Sequence, residues 1–425
     1  MLTKSLLRYL TDVHKKFVKI AVFRILKLVR RIDLKSANVA RSNTIRDINR
    51  QIVLNYVREK GPISRAEISR KTALQRSTVS LIVDDLRDYG LIKELHGESS
   101  GGRPPLLLSL RTSHAVAIGI DLGTITTTVA TSDLAGRVIE QVEFETDENA
   151  ERSTSQIIEH ASKLIKKSGN TIEGIGICLP GLVDTEKGRS IFIPHFRWQN
   201  PQIVEKIHVA TGLPVRADND ANAAALAELW FGRPEIREVR DFILVAIEEG
   251  IGTGVVFDGQ VYRGKDGVAG EFGHMTIGND APVACAAGSR DCWEAFASER
   301  AAIARYYQAL GSPNGSGQIN FSEFLDLAMG GDAIAQKALK ETARYIGIGI
   351  ANLIQGLSPE TIIVGGMIVR AWPLIADEIK AAASQTICRG LSSTQIIAST
   401  LGPQLNLLGA ISLVLAHKFA TVSVN

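Results

Sequence analysis

Ile63-Ser64-Arg65-Ala66-Glu67-Ile68 and Gln75-Arg76-Ser77-Thr78-Val79-Ser80, separated by Thr72-Ala73-Leu74, decide how the front of this chain folds. Ser64 stands at an N-cap and Glu67 at the third helical position, the pattern of a capping box. Ile63 and Ile68 sit where a hydrophobic staple would close it. Upstream, Ile45, Ile48, Ile52, Val53 and Tyr56 share one helical face, and Gly61-Pro62 ends that helix. Downstream, a third helix from about Gln75 to Tyr89 turns Val79, Ile82, Val83 and Leu86 inward, and Gly90 stops it. Two short helices joined by a tight turn form a helix-turn-helix. Gln75, Arg76, Ser77, Thr78 and Ser80 then face base edges and phosphates in a major groove. Leu91–Leu95 and Leu106–Leu110 read as strands around Gly101-Gly102-Arg103-Pro104-Pro105, whose prolines hold Arg103 extended for a minor groove. Residues 44–111 are thus expected to be a winged helix-turn-helix. A helical protein-interaction module with a Gly-Pro linker is the other reading. The order of capping box, turn, polar helix start and tip favours DNA.

The whole chain has 425 residues, 45% hydrophobic and 22% charged, with mean hydropathy +0.08. That length suggests two or three domains, and the composition excludes a disordered chain, a collagen-like repeat and a small disulfide scaffold. Cys178, Cys285, Cys292 and Cys388 do not make a disulfide framework and fit a reducing, cytoplasmic protein, with metal binding the alternative. No apolar run is long enough to predict a membrane span. Residues 1–111 hold 23 Lys+Arg against 10 Asp+Glu, and residues 112–425 hold 25 against 35. A basic front on an acidic body implies an anionic partner for the front alone. Residues 1–43 carry 11 Lys+Arg against Asp12 and Asp33. They could form a basic amphipathic helix on a membrane or beside DNA, a transit peptide, or an extension without fixed structure, and are left unassigned.

Residues 112–425 alternate strand and helix patterns, which predicts an α/β fold. Strands are expected at Ala115–Asp121, Ile125–Asp133, Arg137–Thr146, Thr171–Leu179, Phe242–Glu248, Gly254–Phe257 and Thr361–Val364, with a helix over Glu151–Lys167. Several strands run into glycine-rich turns of the kind that cradle phosphate or sugar. Four motifs follow in order: Leu179-Pro180-Gly181, Asn219-Asp220-Ala221-Asn222, Gly270-Glu271-Phe272-Gly273-His274, and the cluster from Cys285 to Glu294. On these motifs the body resembles the ROK family (repressor, open reading frame, kinase), and with the winged helix it resembles that family's transcriptional regulators. The resemblance covers residue 44 onward. It implies a two-lobed, actin-like sugar-kinase architecture over residues 112–425.

The resemblance also implies a sugar pocket. Asp220 matches the carboxylate that takes the sugar proton in the family's kinases, and Asn219 lies beside it to hold another hydroxyl. Glu271, His274 and Glu294 match residues that bond the other hydroxyls, and Gly181 lets the sugar approach the backbone. The phosphate side departs from the kinase pattern. Asp121-Leu122-Gly123-Thr124-Ile125 replaces Asp-x-Gly-Gly-Thr, and Glu248-Glu249-Gly250 replaces Gly-Thr-Gly. Carboxylates there would repel a triphosphate, so no ATP binding and no catalytic residue are expected. The family's zinc is held by a histidine and three cysteines. His274, Cys285 and Cys292 match, but Ala287 stands where a cysteine is due, so zinc and two plain thiols both fit. The expectation is a sugar-responsive DNA-binding regulator, a repressor of carbohydrate-metabolism genes. Its partners would be operator DNA and a small sugar or sugar phosphate, and it would be a homodimer or higher homo-oligomer. The alternative is an ATP-dependent sugar kinase carrying a DNA-binding domain.

Overall fold

The computed structural model describes residues 42–97, 105–111, 115–233, 235–236, 239–285, 287–312, 319–388 and 394–419. Arg103 at the expected wing tip, and residues 1–41 of the basic extension, lie outside the described residues.

Helix α1 (Ser42–Lys60) leads through strand β1 (Ile63–Ser64) into α2 (Arg65–Thr72) and α3 (Arg76–Asp88). The Ser64 hydroxyl accepts the Glu67 N–H at 3.2 Å, as its position predicts. Among the described residues the reciprocal bond from Glu67 is not made, because the Ser64 backbone belongs to β1 and pairs with Leu107. Strands β2 (Ile92–His96) and β3 (Leu106–Leu110) pair antiparallel and complete a three-stranded sheet in the order β1-β3-β2. Val53, Ile68, Val79, Val83, Leu86 and Leu108 fill the core beneath it, all fully buried. Arg65 ties three elements together through Asp84 of α3 at 3.0 Å and Glu94 of β2 at 2.7 Å.

The body has two lobes built on one plan. In the first, β4 (Ala115–Leu122), β5 (Thr126–Asp133) and β6 (Val138–Glu145) form an antiparallel meander. Helix α4 (Ala150–Ser168) then leads to β7 (Thr171–Leu179), which joins parallel to β4. Beyond it come β8 (Leu182–Asp184), β9 (Arg189–Ile193) and β10 (Trp198–Gln199), a small antiparallel sheet that no sequence pattern announced. Helix α5 (Ile203–Thr211) returns the chain to β11 (Val215–Asn219), parallel to β7.

The second lobe repeats the plan after α6 (Asp220–Phe231). Strands β12 (Phe242–Ile247), β13 (Ile251–Phe257) and β14 (Gln260–Val261) form the meander. Helices α7 (Trp293–Ala297), α8 (Glu299–Ala309), α9 (Phe321–Met329) and α10 (Ala333–Leu357) intervene before β15 (Thr361–Gly365) joins parallel to β12. Helix α11 (Trp372–Thr386) leads to β16 (Gln395–Ala398), and α12 (Leu405–Phe419) follows. The sheet orders are β11-β7-β4-β5-β6 and β14-β13-β12-β15-β16. All of β12 is buried, which suits an apolar run covered on both faces.

Each lobe lends a helix to the other. Helix α6 leaves β11 of the first sheet and lies on β13 of the second, where Gly254 faces the Ala221 carbonyl and the Ala225 side chain. Helix α12 leaves β16 and lies on β4 and β7, where a Cβ on Gly176 would fall inside the carbonyl of Ala410. The two helices touch each other where Gly409 meets the Ala223 backbone. The winged helix sits at the far ends of this pair. Gln51 Nε2 donates to Lys418 O at 3.2 Å, and Asn55 Nδ2 donates to Phe419 O at 3.0 Å. The Arg58 guanidinium lies 3.8 Å over the Trp230 ring.

Candidate functional site

The cleft between the lobes is floored by the first turn of α6. Asn219 caps that helix, its Oδ1 accepting the Ala221 and Asn222 N–H groups at 3.0 and 3.2 Å. Its Nδ2 donates to Gly181 O at 3.1 Å, so the expected Gly181 and Asn219 do meet. Gly181 is glycine for a local reason as well: its φ is +119°, and a Cβ would sit 2.5 Å from Phe192 O. Asp220 Oδ1 accepts the Ala221 N–H at 2.7 Å. Burial and then the Glu248 carboxylate push Asp220 up to about 7. Asp121, at the end of β4, is raised well above the usual carboxylate range by burial and then by Glu248 and Asp220. Burial raises Glu248 too, partly offset by Asn406 Nδ2, which donates to it at 3.0 Å. Three crowded carboxylates therefore occupy the part of the cleft floor nearest the departed phosphate motifs.

The opposite wall is held by a clasp that sequence reading missed. Arg263, just after β14, forks onto Asp218 Oδ2 of β11 at 2.9 and 2.6 Å. Asp218 is almost fully buried, and the two residues are 45 apart in sequence with no motif to pair them. Gly267 lies against the Val183 carbonyl, so the loop that carries Glu271 and His274 is brought over the first lobe. His274 Nε2 points at Glu271 Oε2, 3.6 Å away, and His274 Nδ1 lies 3.4 Å from Cys285 Sγ.

That second contact opens a donor cluster. The ligand atoms of His274, Cys285, Cys292 and Glu294 all lie within 4.8 Å of one another. Zinc bonded to sulfur at about 2.3 Å and nitrogen at about 2.0 Å needs donors roughly 3.3 to 3.8 Å apart, which His274 Nδ1 and Cys285 Sγ meet at 3.4 Å, while the set as a whole, spread over up to 4.8 Å, would draw in by about 1 Å to hold a tetrahedral ion. Ala287 stands at the position of a cysteine, and Glu294 is the fourth group in the cluster. Its carboxylate also faces Arg300 Nη2 at 3.4 Å and lies over Gly250, whose missing Cβ leaves room for it.

On the winged helix, Gln75, Arg76 and Ser77 are exposed at the start of α3, and Thr78 and Ser80 are half-buried beside them. Leu81, 72% exposed on the same helix, was passed over because it is apolar. It can meet a thymine methyl in a groove.

Residues 117–417 match the ROK family model, and residues 46–93 match a winged helix-turn-helix DNA-binding model. The chain belongs to the ROK family. It is 32% identical over 386 residues to a xylose repressor of Bacillus spizizenii, covering 89% of this chain and 98% of that one. It is 28% identical over 350 residues to the N-acetylglucosamine repressor of Escherichia coli O157:H7, covering 79% and 84%. Among solved structures it is similar to a ROK family transcriptional regulator, a homolog of the E. coli MLC protein. That match has TM-score 0.75 and 27% identity over 89% of this chain and 98% of that one. A ROK family glucokinase from Streptomyces griseus, in complex with glucose and AMPPNP, matches with TM-score 0.64 and 30% identity, over 70% and 98%. The kinase match omits nearly a third of the ROK chain, whereas the regulator match spans both the winged helix and the body. Among the described residues no helix is long and apolar enough to cross a membrane.

Proposed function

We propose that this ROK protein is a sugar-responsive transcriptional repressor of carbohydrate-metabolism genes. It reads operator DNA with the exposed start of α3 and binds a small sugar or sugar phosphate in the cleft. The observation that carries this is the span of α6. Its first turn holds Asn219 and Asp220, and its last turn presents Trp230 to Arg58 of the DNA-binding domain. Closure of the lobes on a sugar would move both ends of that rod, and a ligand needs only unequal affinity for two states to shift DNA binding.

The protein does not transfer phosphate in this reading. Asp121 and Asp220 are carboxylates that the family's kinases also carry, but Glu248 adds a third beside them where those kinases have Gly-Thr-Gly, and a kinase needs donors and cations there against a triphosphate. Zinc would be held by His274, Cys285, Cys292 and Glu294. Bound there, it would supply a structural cross-link between the loop after β14 and the start of α7. It would also fix the His274 ring with Nε2 toward the cleft. The working form is a cytoplasmic homodimer, which pairs two winged helices on a two-fold operator.

The test is binding of the full chain to DNA upstream of its own gene, at fixed salt, titrated with xylose, N-acetylglucosamine and other aldoses. Tight binding weakened or strengthened by one sugar supports the regulator. Binding no tighter than to random DNA, together with ATP turnover on any of those sugars, supports a kinase with a DNA-binding appendage.

A further inference from the structure

A second cavity lies at the other end of the first sheet. Where β7 and β11 begin, a space of about 340 Å³ opens between Glu173, Pro214 and Arg216 and the last turns of α12 at Val414, His417 and Lys418. It is separated from Asn219 by the length of β11, roughly 10 Å. Arg216 pairs with Gly176 of β7 and lies on the sheet face that α12 covers.

The charges in this cavity do not balance. Lys418 is neutralised by an ion pair with Glu173. Arg216 is half-buried, and among the described residues it has no hydrogen-bond or ion-pair partner. Burial lowers its pKa from the usual guanidinium value, with no carboxylate to oppose the effect. His417 is held below its usual value by burial and then by Arg216. A desolvated guanidinium without a counter-charge is costly, and its planar fork matches carboxylate or phosphate oxygens. The terminal carbonyls of α12 do not supply the missing charge to the cavity, because Lys418 O and Phe419 O accept bonds from Gln51 and Asn55.

The geometry points to a binding site for a small phosphate ester in this cavity, with Arg216 forking onto the phosphate and His417 as a second donor. The volume exceeds what inorganic phosphate needs and suits an ester with a short polyol chain. The site is distinct from the cleft and borders the seat of the winged helix, since Lys418 belongs to both. An ester bound there would report on phosphorylated metabolites independently of the sugar in the cleft.

Calorimetric titration of the full chain with ribose 5-phosphate, glucose 6-phosphate and inorganic phosphate tests the site, on wild type, Arg216→Gln, Arg216→Lys and Asp220→Asn. Ester affinity should fall about tenfold or more in Arg216→Gln, fall less in Arg216→Lys, and persist in Asp220→Asn. Thermal unfolding of both Arg216 variants checks that the fold is kept, and the lysine variant decides the matter if the glutamine variant is unstable. No ester binding by wild type, or binding that survives both Arg216 changes, overturns the proposal. So does loss in Asp220→Asn alone, which would place the ester in the cleft. A phosphate of the DNA backbone is the other source of the same chemistry. If Arg216→Gln loses DNA affinity and about one unit of salt slope, with ester binding unchanged, the cavity serves DNA and the proposal fails.

Discussion

Replacing Arg58 with alanine should uncouple the sugar signal from DNA binding while leaving each half intact. Among the described residues the winged helix is seated on the body by an apolar cluster that runs from Val53 and Val57 to Leu407 and Phe419, and by polar contacts from Gln51 to Lys418 O, from Asn55 to Phe419 O and from Arg58 over Trp230, with Phe419 5.7 Å from the same guanidinium. Each neutral hydrogen bond contributes about 1 kcal/mol, and a partly desolvated cation–π contact about 1 to 2 kcal/mol. These polar contacts are together worth roughly 3 to 4 kcal/mol, and Arg58→Ala removes about a third to a half of that. Converted at 1.4 kcal/mol per decade, the equilibrium constant for seating drops by about 5- to 30-fold. The sugar-induced change in operator affinity should shrink by up to that factor. Fluorescence anisotropy of labelled operator, with and without saturating sugar at fixed salt, reads it directly. Sugar binding should hold, since Arg58 is at the opposite end of α6 from Asp220. A sugar-induced change in operator affinity that stays within twofold of wild type would show that the signal travels by some route other than this seat.

Arg76→Ala should weaken operator and random DNA alike and lower the slope of log affinity against log salt by about one, as loss of one phosphate contact does. If only operator affinity suffers, Arg76 reads a base instead. Glu294→Ala should reduce affinity for cobalt, used as a spectroscopic stand-in for zinc, by about 10- to 100-fold in the thiolate charge-transfer band. Equal titrations for wild type and variant would remove Glu294 from the donor set. Glu299 is pushed up to about 8 by burial and then by Glu248 and Glu249, from an ordinary value of 4.5. It therefore holds its proton more tightly folded than unfolded. Its contribution is fully present below about pH 4.5 and is lost as pH rises through about 8. Between pH 6 and 8 that loss is about 2 kcal/mol, which Glu299→Gln should abolish in urea unfolding followed by tryptophan fluorescence. Parallel pH profiles in the two proteins would contradict it.

Local chemistry made the front of the molecule legible. Ser64, the Thr72-Ala73-Leu74 turn and the Val79–Leu86 stripe act within a few residues, so the helix-turn-helix could be read from them directly. Strands β4 to β7, β12, β13 and β15 were also visible, because buried runs such as Phe242–Ile247 are apolar throughout, whereas β8 to β11, β14 and β16 were not. What could not be read depends on partners far apart in sequence. The Asp218–Arg263 clasp joins two lobes across 45 residues, and neither residue belongs to a periodic pattern. The approach of His274 to Cys285, Cys292 and Glu294 likewise shows only in three dimensions. Strand β13 begins at Ile251 rather than Gly254 for a related reason. Gly252 interrupts the apolar run, yet it and Gly254 are glycine because α6 presses on the sheet there.

The exchange of helices between the lobes also sets an order of events at the ribosome. The last strand of the first sheet ends at Asn219, but the helix that covers its Gly119 and Gly176 face starts only at Leu405. At about 5 to 20 residues per second, that face waits roughly 10 to 40 s for its cover. Over the same interval the winged helix has only part of its seat, because Trp230 has been made but Lys418 and Phe419 have not. A nascent chain can thus carry a finished DNA-reading module long before it carries the means to control it. Trigger-type chaperones that shield apolar sheet faces would have their longest engagement with this protein over residues 115–219.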